Sequence, residues 1–136
     1  MMPMYKMKEV SDMVGLSYEA LRFYCNEGLV PNIKRDDNNH RVFDEYDVKW
    51  IKGTQCLRAC GLSIAELKEY LDLCLIGPES IPERQEILAH KKELLLKEIE
   101  AIKESIDYID NKQAYYDRIL SGEEEYRSNM IPAYQR

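Results

Sequence analysis

The sequence predicts a mainly α chain: an N-terminal winged helix-turn-helix with a small β-hairpin wing, followed by a long C-terminal helix that dimerises as an antiparallel coiled coil. Three observations predict it. Two short helical segments meet at Gly15, two extended segments flank the polar loop DDNNH (36–40), and apolar residues between Leu88 and Leu120 recur at alternating steps of four and three. The domain limits that follow are 1–77 for the winged unit, 78–120 for the dimerisation helix and 121–136 for a C-terminal tail.

The first helix is expected over Lys6–Val14, where Met7, Val10, Met13 and Val14 keep helical spacing. Gly15 breaks it by accepting the backbone of a tight turn. Ser17 is placed to cap the second helix, Glu19 suits its electropositive first turn, and Gly28 is placed to end it in the left-handed region. Two short helices joined through a glycine turn make a helix-turn-helix. After Pro31 the runs IKR and RVF around the Asp/Asn loop predict two short strands. Asp44 then caps a third helix with Asp47 at the capping-box position, and Tyr46, Trp50, Ile51 and Leu57 are expected on its buried side. Gly61 ends it. Ser63 and Glu66 form a capping box for a fourth helix running to about Leu75, with Gly77 and Pro78 as its stop.

A further box, Ser80 with Glu83, is expected to open the long helix. Of the ten seam positions between 88 and 120, eight are apolar or aromatic: Leu88, Leu95, Ile99, Ile102, Ile106, Ile109, Tyr116 and Leu120. Lys92 and Gln113 are the exceptions. A seam this narrow, held over more than four heptads, is covered by a second copy of the same helix. At about 1.5 Å per residue the helix spans roughly 60 Å, too long for the small preceding domain to cover. A two-fold homodimer is the economical arrangement. The tail after Ser121 shows no period and is assigned no structure.

Composition narrows the classes. The 136 residues are 45% hydrophobic and 32% charged, so the chain is neither disordered nor membrane-embedded. No apolar run is long enough to span a bilayer and the N-terminus lacks a signal-peptide core, so the expected location is cytoplasmic and no membrane partner is expected. The four cysteines are then expected to be reduced thiols. The net charge of −6 lies wholly in residues 64–136; residues 1–63 carry nine cations and nine anions. A neutral first half can still gather its cations on one face, so the acidic whole does not exclude a polyanionic partner.

At this point the motifs resemble those of the MerR family of transcription regulators. That family shows S-x-x-T-L-R-Y-Y-E-x-x-G-L, a wing ending G-Y-R-x-Y, an acidic helix start, and R-x-x-G-[FML]-S. This chain has Ser17, Leu21, Arg22, Phe23, Tyr24, Gly28 and Leu29; then Arg41 and Phe43; then Asp44, Glu45 and Asp47; then Arg58, Gly61 and Ser63. The resemblance covers about residues 4–120. It departs at Ala20 for threonine, Phe23 for a tyrosine, Cys25 for an acid, Asn39 for glycine and His40 for tyrosine. Asn tolerates a positive φ next best after glycine, so the wing turn is expected to survive.

A recognition helix enters the major groove N-terminus first, which puts Ser17, Tyr18 and Glu19 within reach of base edges. Arg22 faces the flanking phosphates one turn later, and Tyr24 offers its hydroxyl to the same backbone. Phe23 sits at the boundary between phosphate and core, lacking the hydroxyl the family carries there. Arg41 and Arg58 occupy family-matched positions for backbone contacts. Lys34 and Lys52, as isolated lysines, read as solvated. The resemblance implies double-stranded promoter DNA as partner, a homodimer that bends and untwists it, and RNA polymerase acting at the same promoter.

The family's metal-sensing members carry cysteines at the ends of the dimer helix, and none follows Cys74 here, so neither a metal nor another cofactor is expected. The run IKGTQCLRACGLS instead resembles the thiol- and aldehyde-responsive subgroup, whose key cysteine corresponds to Cys56. Lys52, one turn earlier, is a cation that favours its thiolate. Cys60 could share a metal or disulfide with Cys56, although a helix strains the disulfide. Cys25 and Cys74 read as packing residues. The alternatives are a regulator that binds DNA constitutively or as an architectural protein, one that senses a small ligand without cysteine chemistry, and a thiol enzyme built on C-x-x-x-C. The last lacks the C-x-x-C spacing of a thioredoxin-like site, and the expected chain is not an enzyme.

Overall fold

The computed structural model describes residues 2–127. Strand β1 (Tyr5–Lys6) leads into α1 (Met7–Val14) and α2 (Tyr18–Asn26). Strands β2 (Lys34–Arg35) and β3 (Arg41–Phe43) follow, then α3 (Glu45–Ala59), α4 (Ile64–Ile76), a 3-10 turn (Pro78–Ser80) and α5 (Ile81–Leu120).

The helix boundaries follow the local chemistry the sequence carries. Gly15, at φ 73°, donates its N–H to the Ser11 carbonyl and closes α1. Ser17 Oγ accepts the Ala20 N–H at 3.1 Å, satisfying one of the free donors at the start of α2. Asp44 and Asp47 exchange hydrogen bonds at 2.9 Å in both directions, and Ser63 and Glu66 do so at 3.1 and 3.0 Å, so two of the three predicted capping boxes form.

The wing is a three-stranded antiparallel sheet in the order β1-β3-β2. Tyr5 and Lys6 pair with Phe43 and Val42, while Lys34 and Arg35 pair with Val42 and Arg41 on the other side. The sequence shows the β2–β3 hairpin but not β1. A two-residue strand has no readable period, and its partner lies far along the chain.

The core forms where α1, α2, α3 and α4 meet the inner face of β3. Val10, Leu21, Leu29, Phe43, Ile51 and Leu67 have no exposed surface. Side chains of this size contribute about 1.5–3 kcal/mol each on full burial. Two polar ties run from α3 to the ends of the first helices: Trp50 Nε1 donates to the Leu29 carbonyl at 2.8 Å, and Gln55 Nε2 to the Val14 carbonyl at 2.8 Å.

Two expectations are corrected. Tyr46 is 67% exposed, with the Lys49 ammonium 6.0 Å from its ring centroid; Val48 and Thr54 are buried on α3 instead. The helix meets the core along the stripe 47-48-51-54, which turns position 46 outward. Ser80 does not cap α5 in a box with Glu83. It is buried, and its hydroxyl lies within hydrogen-bonding reach of the carbonyls of Leu73 and Gly77, the end of α4. Arg84 donates to Ser80 Oγ at 3.0 Å and to the Gly77 carbonyl at 2.6 Å.

The first compact unit continues past this bracket to Lys91, inside α5; a second unit begins at Lys92. In the second unit α5 buries no residue, and Ile99, Ile102, Ile106 and Ile109 are each about half exposed. After Leu120 the chain turns at Ser121–Gly122. Arg118 pairs with Glu124 at 3.5 Å, and the Tyr115 hydroxyl bonds the Arg127 backbone at 3.1 Å. Residues 121–127 therefore have a turn that periodicity does not reveal; the rest of the tail, 128–136, lies outside the described residues.

Candidate nucleic-acid interface

The N-terminus of α2 and the wing share one face. Tyr18 is 51% and Phe23 45% exposed, and Ser17, Glu19 and Arg22 are exposed beside them. Arg22 has no ion-pair partner among the described residues, which leaves its five donors available. Tyr24 is the exception on this helix. It is 8% exposed and packed in the core, so its ring is a packing element and little of it reaches the surface expected to meet phosphate.

Between α2 and the wing lies a cleft of about 230 Å³ lined by Lys6, Lys8, Tyr18, Arg35, His40 and Arg41, with no carboxylate among its lining residues. Arg41 donates to Asn26 Oδ1 at 2.6 Å, and Arg35 to the Asn39 carbonyl at 2.9 Å, so both guanidiniums are held by neutral partners that leave their charge uncompensated. Lys6, Lys8 and Arg35 are not evident in the sequence as part of this face. The sheet brings in two of them, with Lys6 opposite Val42 and Arg35 opposite Arg41, and Lys8 follows in the first turn of α1.

The wing loop is built by Asp36. Its Oδ1 accepts the N–H groups of Asn38 and His40 at 2.9 Å, and Asn39 sits at φ 60°. Asparagine thus supplies the left-handed residue for which the family uses glycine. The His40 backbone hydrogen bond, with that of Asn38, holds the Asp36 carboxyl below its ordinary pKa despite some desolvation.

The wing is anchored to α3 by Lys34, which corrects its reading as a solvated lysine. Its ammonium lies 3.0 Å from both Asp44 Oδ2 and Asp47 Oδ2 and 2.9 Å from the Asn32 carbonyl. Desolvation pulls the Lys34 pKa down, but hydrogen bonds and charge from Asp47 and Asp44 outweigh it and raise the value. Asp44 is lowered, first by the Asp47 N–H and then by Lys34.

The remaining candidates lie on or beside α3. Arg58 donates to the Leu62 carbonyl at 2.6 Å and braces the turn into α4. Cys56 is exposed, as are Lys52 and Cys60. Cys25 and Cys74 are half-buried. Burial pushes the Cys25 thiol pKa up, against the opposing charges of Arg41 and Arg35, which suits a packing residue.

A winged helix-turn-helix with a cationic face at the start of its second helix is the form of a DNA-binding regulator. The profile for MerR HTH family regulatory proteins matches residues 5–74, and the chain belongs to that family of transcriptional regulators. An uncharacterised HTH-type transcriptional regulator of Haemophilus influenzae is 31% identical over 114 residues, 84% of this chain and 84% of that protein. The regulator AdhR of Bacillus subtilis is 40% identical over 88 residues, 65% of this chain and 63% of its own. Among solved structures, a MerR family regulator of Listeria monocytogenes superposes with a TM-score of 0.73 at 34% identity, covering 87% and 89% of the two chains. HiNmlR, a MerR family regulator lacking the sensor domain and bound to promoter DNA, gives 0.70 at 29% identity, covering 88% and 90%. Among the described residues, no helix is long and apolar enough to cross a membrane.

The Lys34 cluster predicts a two-sided pH profile. Asp44 has a folded pKa below its ordinary 3.8, so its stabilisation is complete above that value and is lost as pH falls through the folded pKa. Lys34 has a folded pKa above 10.5, so its contribution is complete below that value and is lost as pH rises through the folded pKa. Urea unfolding of Lys34→Met across acid and alkaline pH should show a shallower acid limb and a weakened alkaline one. A profile that parallels the parent at both ends would remove Lys34 from this role.

Proposed function

We propose that the chain binds promoter DNA as a homodimer and regulates transcription by distorting that DNA, acting in the cytoplasm with RNA polymerase at the same promoter. The observation that carries this reading is the cleft between α2 and the wing, where Lys6, Lys8, Arg35 and Arg41 converge with no lining carboxylate. Lysine and arginine on phosphates supply orientation and most of the affinity, while Ser17, Tyr18 and Glu19 at the start of α2 reach base edges. Arg22, one turn on and unpaired, extends the same phosphate track. The promoter-bound form of the similar HiNmlR supports duplex DNA as the ligand.

Pairing follows from α5. Along the seam of Leu88, Leu95, Ile99, Ile102, Ile106, Ile109, Tyr116 and Leu120, every residue but the half-buried Leu95 is solvent-exposed on one chain, and an antiparallel partner helix buries it. A two-fold dimer presents two recognition helices to a pseudo-palindromic site. Bending such a site costs several kcal/mol, offset by the added phosphate contacts. The signal is received at Cys56, whose exposed thiol is open to an aldehyde or oxidant; modification shifts the bound dimer between two conformations.

Three measurements test the parts separately. Arg22→Ala should weaken operator binding and lower the slope of log affinity against log salt by about one; an unchanged titration would strike Arg22 from the contact set. Ile102→Asp should convert a dimer to a monomer in sedimentation equilibrium, and a persisting dimer would place the pairing elsewhere. Cells carrying Cys56→Ser should lose the reporter response to an added aldehyde, and a full response would sink the sensor role.

A further inference from the structure

Cys56 and Cys60 are the exposed thiols among the described residues, and they lie one turn apart at the end of α3. Cys60 keeps right-handed backbone angles, φ −70° and ψ −6°, and its N–H donates to the Cys56 carbonyl at 3.1 Å. The i,i+4 relation of a regular helix therefore extends to the second cysteine. Side chains so related have Cβ atoms about 5–6 Å apart. A disulfide needs about 3.5–4.5 Å. Direct S–S bonding requires the helix end to distort, whereas one atom bonded to both sulfurs fills the gap.

The site offers two soft sulfur ligands and no third. Among the described residues no three His, Cys, Asp or Glu side chains are grouped to hold a metal. Structural zinc, which takes four ligands, is not satisfied here. A thiophilic centre that already carries its own substituent is satisfied by two thiolates. Neither Cys25 on α2 nor Cys74 on α4 has a second cysteine on its helix, and both are half-buried.

We propose that Cys56 and Cys60 form a dithiol site that captures trivalent organoarsenicals. An organoarsenic oxide condenses with both thiols: two S–H bonds break, two As–S bonds form, and the oxo oxygen leaves as water with both protons. Arsenic stays trivalent and no oxidant is consumed. The bridge spans the last turn of α3, where Arg58, between the two cysteines, holds the Leu62 carbonyl. Capture therefore stiffens the turn from α3 into α4. The site shares Cys56 with the sensor reading above but adds Cys60, and it requires both thiols where that reading requires one.

The test is intact mass spectrometry of the full chain treated with phenylarsine oxide, before and after 1,2-ethanedithiol. The unmodified sequence and a Cys25→Ser/Cys74→Ser variant should each gain one phenylarsenic adduct, less one water, and release it to the dithiol. Cys56→Ser and Cys60→Ser should each lose the adduct; both positions are exposed, so serine leaves the core intact. An adduct retained by either single variant, or none on the unmodified sequence, overturns the proposal. Cys60→Ser also separates the two readings, because it should abolish arsenical capture while leaving an aldehyde response through Cys56 in place.

Discussion

The pairing of β3 on both of its edges is the constraint on which the rest of the N-terminal unit depends. Phe43 closes the core beneath this strand, while Val42 stands opposite Lys6 on one side and Lys34 on the other. A segment before α1 and a hairpin after α2 are thereby drawn to one face. Without that pairing Lys6, Arg35 and Arg41 are scattered cations on a chain of net charge −6. With it they border one cleft. Backbone hydrogen bonding thus gathers the charge, although the ladder itself is only two or three residues long.

The short sheet is held by its surroundings. Asp44 ends β3 and caps α3 in the same stroke, and Lys34 ties β2 to that cap through two carboxylates. Helix α3 then reaches back to the ends of α1 and α2 through Gln55 and Trp50. Recognition helix, wing and scaffold are thereby tied to one another. A DNA-reading surface needs this, because contacts at bases and at phosphates must be met at once.

Much of the fold was legible because its signals are local. Caps at Ser17, Asp44 and Ser63, the stop at Gly15 and the left-handed residue Asn39 each act within a few residues, and all stand where the chain predicts them. Ser80 shows the limit of such reading. Its spacing to Glu83 imitates a capping box, yet it lies against the end of α4, where burial makes the Leu73 and Gly77 carbonyls its partners. Tyr46 fails for a related reason: an aromatic at the first turn of a helix looks buried until the packing angle of α3 turns it to solvent. The cation face was half legible, since Arg22 and Arg41 belong to motifs but Lys6, Lys8 and Arg35 do not.

The sequence by itself determined the helices, their ends, the wing turn and the family, because hydrophobic period, caps and glycine positions are set by neighbours in the chain. It also wrote the long apolar stripe of α5, whose residues, the half-buried Leu95 apart, stay exposed on a single chain. Only the tertiary structure decided which cations share a face, that Lys34 is an anchor and Tyr24 a core residue, and that Cys56 and Cys60 both face solvent. Those are properties of pairing across long sequence separations and of burial, and neither is encoded in the spacing of adjacent residues.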